Sequence, residues 1–478
     1  MLQKFLKNSL TYSIGHALTS SIAIFLLPIY TRYLSPAEYG VIDIFMVIAA
    51  IINVTIALEI SQGISRYYQD GKNEREKREY TSSAFWFTVF VYLLFLFLSF
   101  VFSDFFTFWL LEDVSKKNIF LLAVFAIATN GIFHFTRNQL RWQMQPKNSV
   151  MTSLVNAVVT ASLCIYLILV QELKVESIFI GQIAGNITAS LVAILYVRKS
   201  YGFTFCTTKF KKMVSYSLPL VLSSIGIFIA LYIDRIAIKN LLGLDELGIY
   251  GVGYRFAAVA FLIMAGFQQS LAPLIFKHYK EKKTPSDISK IFNIFIIFAL
   301  FVIVGSVLFS KELVTLFTTK AYYSSESLIA ILVMAILLSN MYIFAPGIII
   351  AKKTKLFTMI NISGAIINII LNYTLIPILG LSGAAYATLI SAVCTFLLFI
   401  IFSNRHYLIP YQTKPILLSL AIALISSYGV ASMFDKIEFT SIIAKIICLL
   451  IVFISASFFL LEKKYLQKIK LRLKMREK

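Results

Sequence analysis

Fourteen apolar runs, each near the roughly 20 residues a helix needs to cross a bilayer, constrain this chain more than any motif does. They begin near Ser9, Tyr39, Thr81, Asn118, Ser149, Glu176, Met213, Leu247, Ser286, Glu326, Thr354, Ser382, Pro415 and Glu438. In hydrocarbon every backbone N–H and C=O must find its partner within the segment, so runs of this length fold as helices. Composition agrees: 59% of the 478 residues are apolar and 15% aromatic, more hydrocarbon than a soluble globule keeps from water. The expected fold is all-α and integral to the lipid bilayer, with about 14 transmembrane helices.

The opening run returns about two hundred residues later. Leu10-Thr-Tyr-Ser-Ile-Gly-His-Ala-Leu-Thr-Ser-Ser21 aligns with Val214-Ser-Tyr-Ser-Leu-Pro-Leu-Val-Leu-Ser-Ser-Ile225, which sets Tyr12 on Tyr216, Ser13 on Ser217 and Ser20 on Ser224. After a four-residue slip, Leu34-Ser-Pro-Ala-Glu-Tyr-Gly40 aligns with Leu242-Gly-Leu-Asp-Glu-Leu-Gly248. Halves of six spans each share one orientation, which gives two parallel six-helix lobes, residues 1–205 and 206–405. Residues 406–478 remain as two extra spans and a basic tail. Internal repeats of this kind build secondary transporters, with the substrate between the halves.

The net charge of +21 reports topology once the charges are placed. With the N-terminus cytoplasmic, 33 of the 44 Lys and Arg residues fall on the inner side, 7 on the outer side and four (Arg235, Lys239, Arg255, Lys445) within spans. That asymmetry follows the positive-inside rule with both termini cytoplasmic, and leaves no need for a nucleic-acid partner. The first run is long, lacks a small-residue cleavage site and is one copy of the repeat, so it reads as a span. Four cysteines without disulfide or metal spacing read as small packing residues. Phosphate-loop, zinc-protease and dinucleotide fingerprints are missing, and outer loops are short, the longest running roughly from Lys311 to Ser325. The reading is a transporter that uses no cofactor and is not an enzyme.

Polar groups inside the spans point to the cargo, because each is expensive in lipid unless it meets a partner or water. Tyr232-Ile-Asp-Arg-Ile-Ala-Ile-Lys-Asn240 is the richest cluster, and Arg255 follows in the next span. Across an antiparallel hairpin Arg235 and Arg255 reach similar depth, about 12 Å in. Two guanidiniums at one level suit a diphosphate, since each offers a planar fork of donors; the alternative is that Asp234 and Arg235 pin the helix end while Lys239 snorkels outward, and Lys445 itself reads as a snorkelling residue. Asn130, His134, Arg137 and Arg141 follow at spacings of 4, 3 and 4, one face of a helix that wants a wet lumen. Asn156, Gln182, Asn186, Asn361, Asn368 and Asn372 offer both donors and acceptors to sugar hydroxyls or act as helix glue. Gly181 and Gly185 read as close helix packing, and Pro28 and Pro346-Gly347 as bends in spans one and ten. Glu59, with Asp43 and Asp234 nearer the outside, are the carboxylates that could bind and release a coupling ion.

Leu27-Pro-Ile-Tyr-Thr-Arg-Tyr-Leu-Ser-Pro-Ala-Glu-Tyr-Gly40, Gly63-Ile-Ser-Arg-Tyr-Tyr68 and Asp234-Arg-Ile-Ala-Ile-Lys-Asn-Leu-Leu-Gly-Leu-Asp-Glu-Leu-Gly-Ile-Tyr250 resemble the Wzx-type O-antigen flippases. These belong to the multidrug, oligosaccharidyl-lipid and polysaccharide exporter superfamily, and the resemblance covers essentially the whole chain. It implies a MATE-like bundle with a cationic lumen in the bacterial cytoplasmic membrane. It also implies passage of an undecaprenyl-diphosphate-linked oligosaccharide to the outer leaflet, coupled to H+ or Na+, for a polysaccharide polymerase and chain-length regulator. By position it makes Arg32, Arg66, Arg235 and Arg255 contacts for diphosphate or acidic sugar. Lipid II flippases, which also have fourteen spans, are the first alternative; a MATE multidrug exporter and a scramblase or non-transporting scaffold follow.

Overall fold

The computed structural model describes residues 15, 18, 19, 21, 22, 25–68, 71, 73–434 and 436–461. Lys4, Lys7, Tyr12, Ser13, Ser20 and the tail from Lys463 lie outside the described residues. Every regular element among those described is helical. Residues 25–33 form α1, followed by α2 (Pro36–Thr55), α3 (Ile60–Tyr67), α4 (Glu74–Val101), α5 (Ser103–Leu111), α6 (Lys117–Trp142), α7 (Pro146–Leu169), α8 (Val175–Tyr196) and α9 (Thr207–Leu241). Then come α10 (Leu244–Ala257), α11 (Val259–His278), α12 (Thr284–Phe317), α13 (Glu326–Asn340), α14 (Gly347–Ile350), α15 (Thr354–Leu379), α16 (Leu381–Asn404), α17 (Thr413–Met433) and α18 (Phe439–Leu460).

Eleven helical segments among the described residues are long and apolar enough to cross a membrane, and α9 makes a twelfth if its two pieces, bent by 53° between Gly226 and Leu231, form one span. The runs near Ser9 and Leu247, which that count omits, appear as α1 and as the pair α10 and α11. Local chemistry sets the ends. Ser35 caps α2 in a reciprocal box, its hydroxyl accepting from the Glu38 N–H at 3.3 Å while Glu38 accepts from the Ser35 N–H at 2.8 Å; two orphan donors are satisfied at once. Gly243, at φ 107°, turns α9 into α10, a conformation that glycine adopts without steric penalty. Span two breaks where no Pro or Gly announces it: Leu58 and Glu59 both take φ 48°. Span ten breaks at Pro346 as read, whereas α1 runs helically through Pro28. The longest expected outer loop is shorter than read, because α12 continues to Phe317 and a 3-10 turn fills Lys320–Ser325.

The chain divides into two compact units, Met1–Lys239 with Gly243–Gly248, and Asn240–Leu242 with Ile249–Lys478. In the first, Gly181 and Gly185 let α8 close on α7, since a Cβ at either would run into Cys164 or Thr160. The stretch after α8 is fastened to α4. Arg78 Nε donates to the Tyr201 carbonyl at 3.0 Å and Trp86 Nε1 to that of Gly202 at 2.8 Å. Ser82 and Ser83 hydroxyls accept from the Gly202 and Cys206 N–H groups at 2.9 and 2.8 Å.

In the second unit the last two helices are built onto α12. Ile297, Leu300, Val304 and Leu308 pack with Ala423 of α17 and with Cys448, Val452, Ala456 and Leu460 of α18. Asn293 Nδ2 donates to the Leu460 carbonyl at 3.1 Å. Toward the other end of α12, Lys445 Nζ lies 2.5 Å from Glu312 Oε1, the side chains only 3% and 16% exposed. Lys445 therefore turns inward to a carboxylate on α12, and the snorkelling expected of it is corrected: a buried ammonium is tolerable where an opposite charge shares its burial.

Candidate functional site

In the first unit, α2 and α9 bring three of the sequence candidates together. Asp43 faces Arg235, whose Nε donates to Asp43 Oδ2 at 3.0 Å. Asp234 accepts from the Arg235 backbone N–H at 2.8 Å and lies 3.4 Å from its Nη1. All three are buried, and the guanidinium sits 5.5 Å from the Tyr232 ring centroid. Arg235 thus stands between two carboxylates, so receiving a diphosphate would require it to exchange one of them. Toward the end of α9, Lys239 pairs with Glu112 at 2.8 Å, and this ammonium holds the Glu112 carboxyl below its usual range.

Glu59 lies at the break in span two, and its Oε1 accepts from the Ser224 hydroxyl of α9 at 3.0 Å. Two successive left-handed residues without glycine are strained, and strain of this kind collects at functional positions. Nearby, Tyr92 donates to Asn53 Oδ1 at 2.6 Å and Asn53 Nδ2 donates to Asn130 Oδ1 at 3.2 Å. The reading of the sequence named Asn130 and missed Asn53, Tyr92 and Ser224. Ser224 carried a signal, since it repeats Ser20.

The remaining α6 stripe is the more open cationic surface. His134 and Arg141 are exposed; His134 Nδ1 lies 3.2 Å from Asn138 Nδ2, and Arg141 Nη1 donates to Asn138 Oδ1 at 3.4 Å. Arg137 stacks 5.4 Å from the Phe133 centroid and has no carboxylate partner among the described residues. Arg32 and Arg66 are exposed on α1 and α3, with Arg66 at 5.5 Å and Lys212 at 4.6 Å from the Tyr67 centroid. Asn186 instead meets another helix: it accepts from Asn156 at 2.9 Å and is buried.

Within the second unit Arg255 is half-buried in the last turn of α10. Gln268 donates to Asn340 Oδ1 at 3.2 Å. Asn368 donates to Ser391 at 3.0 Å and accepts from Asn372 at 3.0 Å, so Asn368 joins α15 to α16 while Asn372 supports it from one turn along α15. Asn361 is exposed, and its amide donates to the Phe357 carbonyl at 3.0 Å. Among the described residues no three His, Cys, Asp or Glu gather as a metal site.

These features define a multi-pass membrane protein of the MATE-like fold. The structure of "Lipid II flippase MurJ, inward closed conformation" superposes with a TM-score of 0.74 at 16% identity over 94% of this chain and 98% of that one. An inward-facing MATE family multidrug resistance transporter gives 0.65 at 13% identity over 81% and 94%. The family profile described as "Polysaccharide biosynthesis protein" matches residues 5–279, and the MatE profile matches 219–374. The chain belongs to the polysaccharide biosynthesis protein family, within the exporter superfamily that its sequence resembles. It is 25% identical to a "Putative O-antigen transporter" of Shigella flexneri over 80% of this chain and 93% of that protein. It is also 26% identical to the "Probable low-salt glycan biosynthesis flippase Agl15" of Haloferax volcanii over 48% of this chain and 50% of that one.

Proposed function

We propose that the chain is a flippase carrying undecaprenyl-diphosphate-linked oligosaccharide units from the cytoplasmic to the outer leaflet of a bacterial inner membrane. Membership of the polysaccharide biosynthesis family carries this reading, supported by the span of the O-antigen transporter relative along the chain. In it the chain has fourteen spans with both termini cytoplasmic, two six-helix lobes (1–205 and 206–405) alternate access, and the product feeds a polymerase and chain-length regulator. Arg137, Arg141, Arg66 and Arg32 of the first unit are the phosphate contacts in this reading, a choice supported by the exposure of Arg32, Arg66 and Arg141; Arg255 is a further candidate. His134 and Asn361 meet the glycan, while Asn186 and Asn368 hold helices together.

Deleting the gene in its source bacterium tests the reading: surface polymer is lost and lipid-linked units stay cytoplasm-facing. Cell lysis with trapped lipid II and intact polymer would instead move the assignment to peptidoglycan, the alternative to which the likeness in fold draws attention. An ion gradient drives the cycle through Glu59, which takes H+ or Na+ at the break in span two. Glu59→Gln keeps the hydrogen bond to Ser224 but removes the charge. Expected is an export rate that no longer responds to collapsing the gradient, at unchanged protein level; a gradient response equal to the parent's would exclude Glu59.

A further inference from the structure

The sequence repeat has a physical meeting point. The alignment pairs Pro36 with Leu244 and Gly40 with Gly248. A Cβ added to Gly40 would run into the Leu244 carbonyl oxygen, and one added to Gly248 would run into that of Pro36. Equivalent atoms of the two copies meet reciprocally, as they must either side of a local two-fold axis. The approach is backbone to backbone, which small residues allow between membrane helices.

One turn further along α2, Asp43 holds the Arg235 guanidinium at 3.0 Å. Asp234, beside it, accepts from both the backbone and the side chain of Arg235 and so keeps the guanidinium aimed. A crossing meant to be permanent gains little from such a pair, because desolvating two charges consumes most of what their attraction returns. A charged pair instead offers a discrete contact, made or broken, and bistable contacts of this kind underlie switching.

We propose that the crossing of α2 with the first turn of α10, latched by Asp43 and Arg235, is the outer closure of the transport path and parts once in each cycle. The inference rests on the reading given under Proposed function for its sidedness and for the existence of a path. It gives Arg235 a role distinct from substrate contact: the residue is withheld while the closure is made.

The test is labelling by a membrane-impermeant maleimide, in whole cells, of Ile238→Cys, a position that is fully buried and one turn beyond Arg235. Cys164, Cys206, Cys394 and Cys448 are replaced by alanine in this background. Expected is slow labelling with the latch intact and about ten-fold faster labelling with Asp43→Asn or Arg235→Gln, as the open population grows. The exchanged pair Asp43→Arg with Arg235→Asp returns the rate toward that of the parent. Equal rates in all four proteins overturn the proposal. So does loss of both single variants from the membrane while the exchanged pair restores level and rate alike, which is the behaviour of static packing. Labelling needs no glycan, so faster labelling without any polysaccharide phenotype would retain the closure and remove the substrate assignment.

Discussion

Glu312→Ala is expected to destabilise the second unit by about 3–5 kcal/mol, the usual penalty for leaving a buried charge without its partner. Lys445 is 3% exposed against Glu312, and truncation would strand its ammonium between α12 and α18. Swinging toward the nearer membrane interface would recover part of this, which places the effect at the lower end of the range. The apolar seam of Leu300, Val304 and Val452 persists, so the helices stay associated in a loosened form. The measurement is the midpoint of thermal aggregation in detergent. Glu312→Met with Lys445→Met removes both charges and is expected to lie within about 1 kcal/mol of the parent. If the single variant matches the parent too, the pair is doing nothing for stability.

Gly131→Val is expected to do comparable damage by the opposite route. A Cβ at this position would fall onto the ring of Tyr92, a side chain 2% exposed whose hydroxyl is tied to Asn53. The ring can retreat only by giving up that bond and opening the join of α4 with α6. Overpacking typically costs about 1–3 kcal/mol, and the severed Tyr92–Asn53–Asn130 chain adds a further penalty for unpaired amides of about 1–3 kcal/mol. Membrane level and monodispersity should collapse. Tyr92→Ala in the same chain makes room for the valine and should recover part of the loss; failure to recover any would place the clash elsewhere.

Much of the scaffold is legible in the sequence, because membrane helices announce themselves by length and charge bias. The runs starting near Asn118 and Ser382 reappear within a residue or two as α6 and α16. The partnerships were less visible. Glu312 and Lys445 lie 133 residues apart, and a lone charge in an apolar run does not say whether it faces lipid or a neighbouring helix. The break at Leu58 and Glu59 was illegible for a different reason: these residues disfavour left-handed backbone, so the strain must be imposed by tertiary packing, which sequence periodicity does not encode. Arg235 was seen and placed with phosphate, yet its carboxylate partner Asp43 lies 192 residues away.

The meeting of Gly40 with Gly248 also bears on how such a chain can change over generations. Most positions of an internal repeat are free to differ once each copy has its own neighbours, and the two aligned stretches of this chain differ at most of theirs. Here each copy is the other's wall. A larger residue at one glycine cannot be excused by shrinking the other, since what it strikes is main chain, the one part of the opposite copy that mutation does not trim. The two positions are therefore bound to a single history, and ancestral sequences should show them fixed as a couple long after the surrounding likeness has faded.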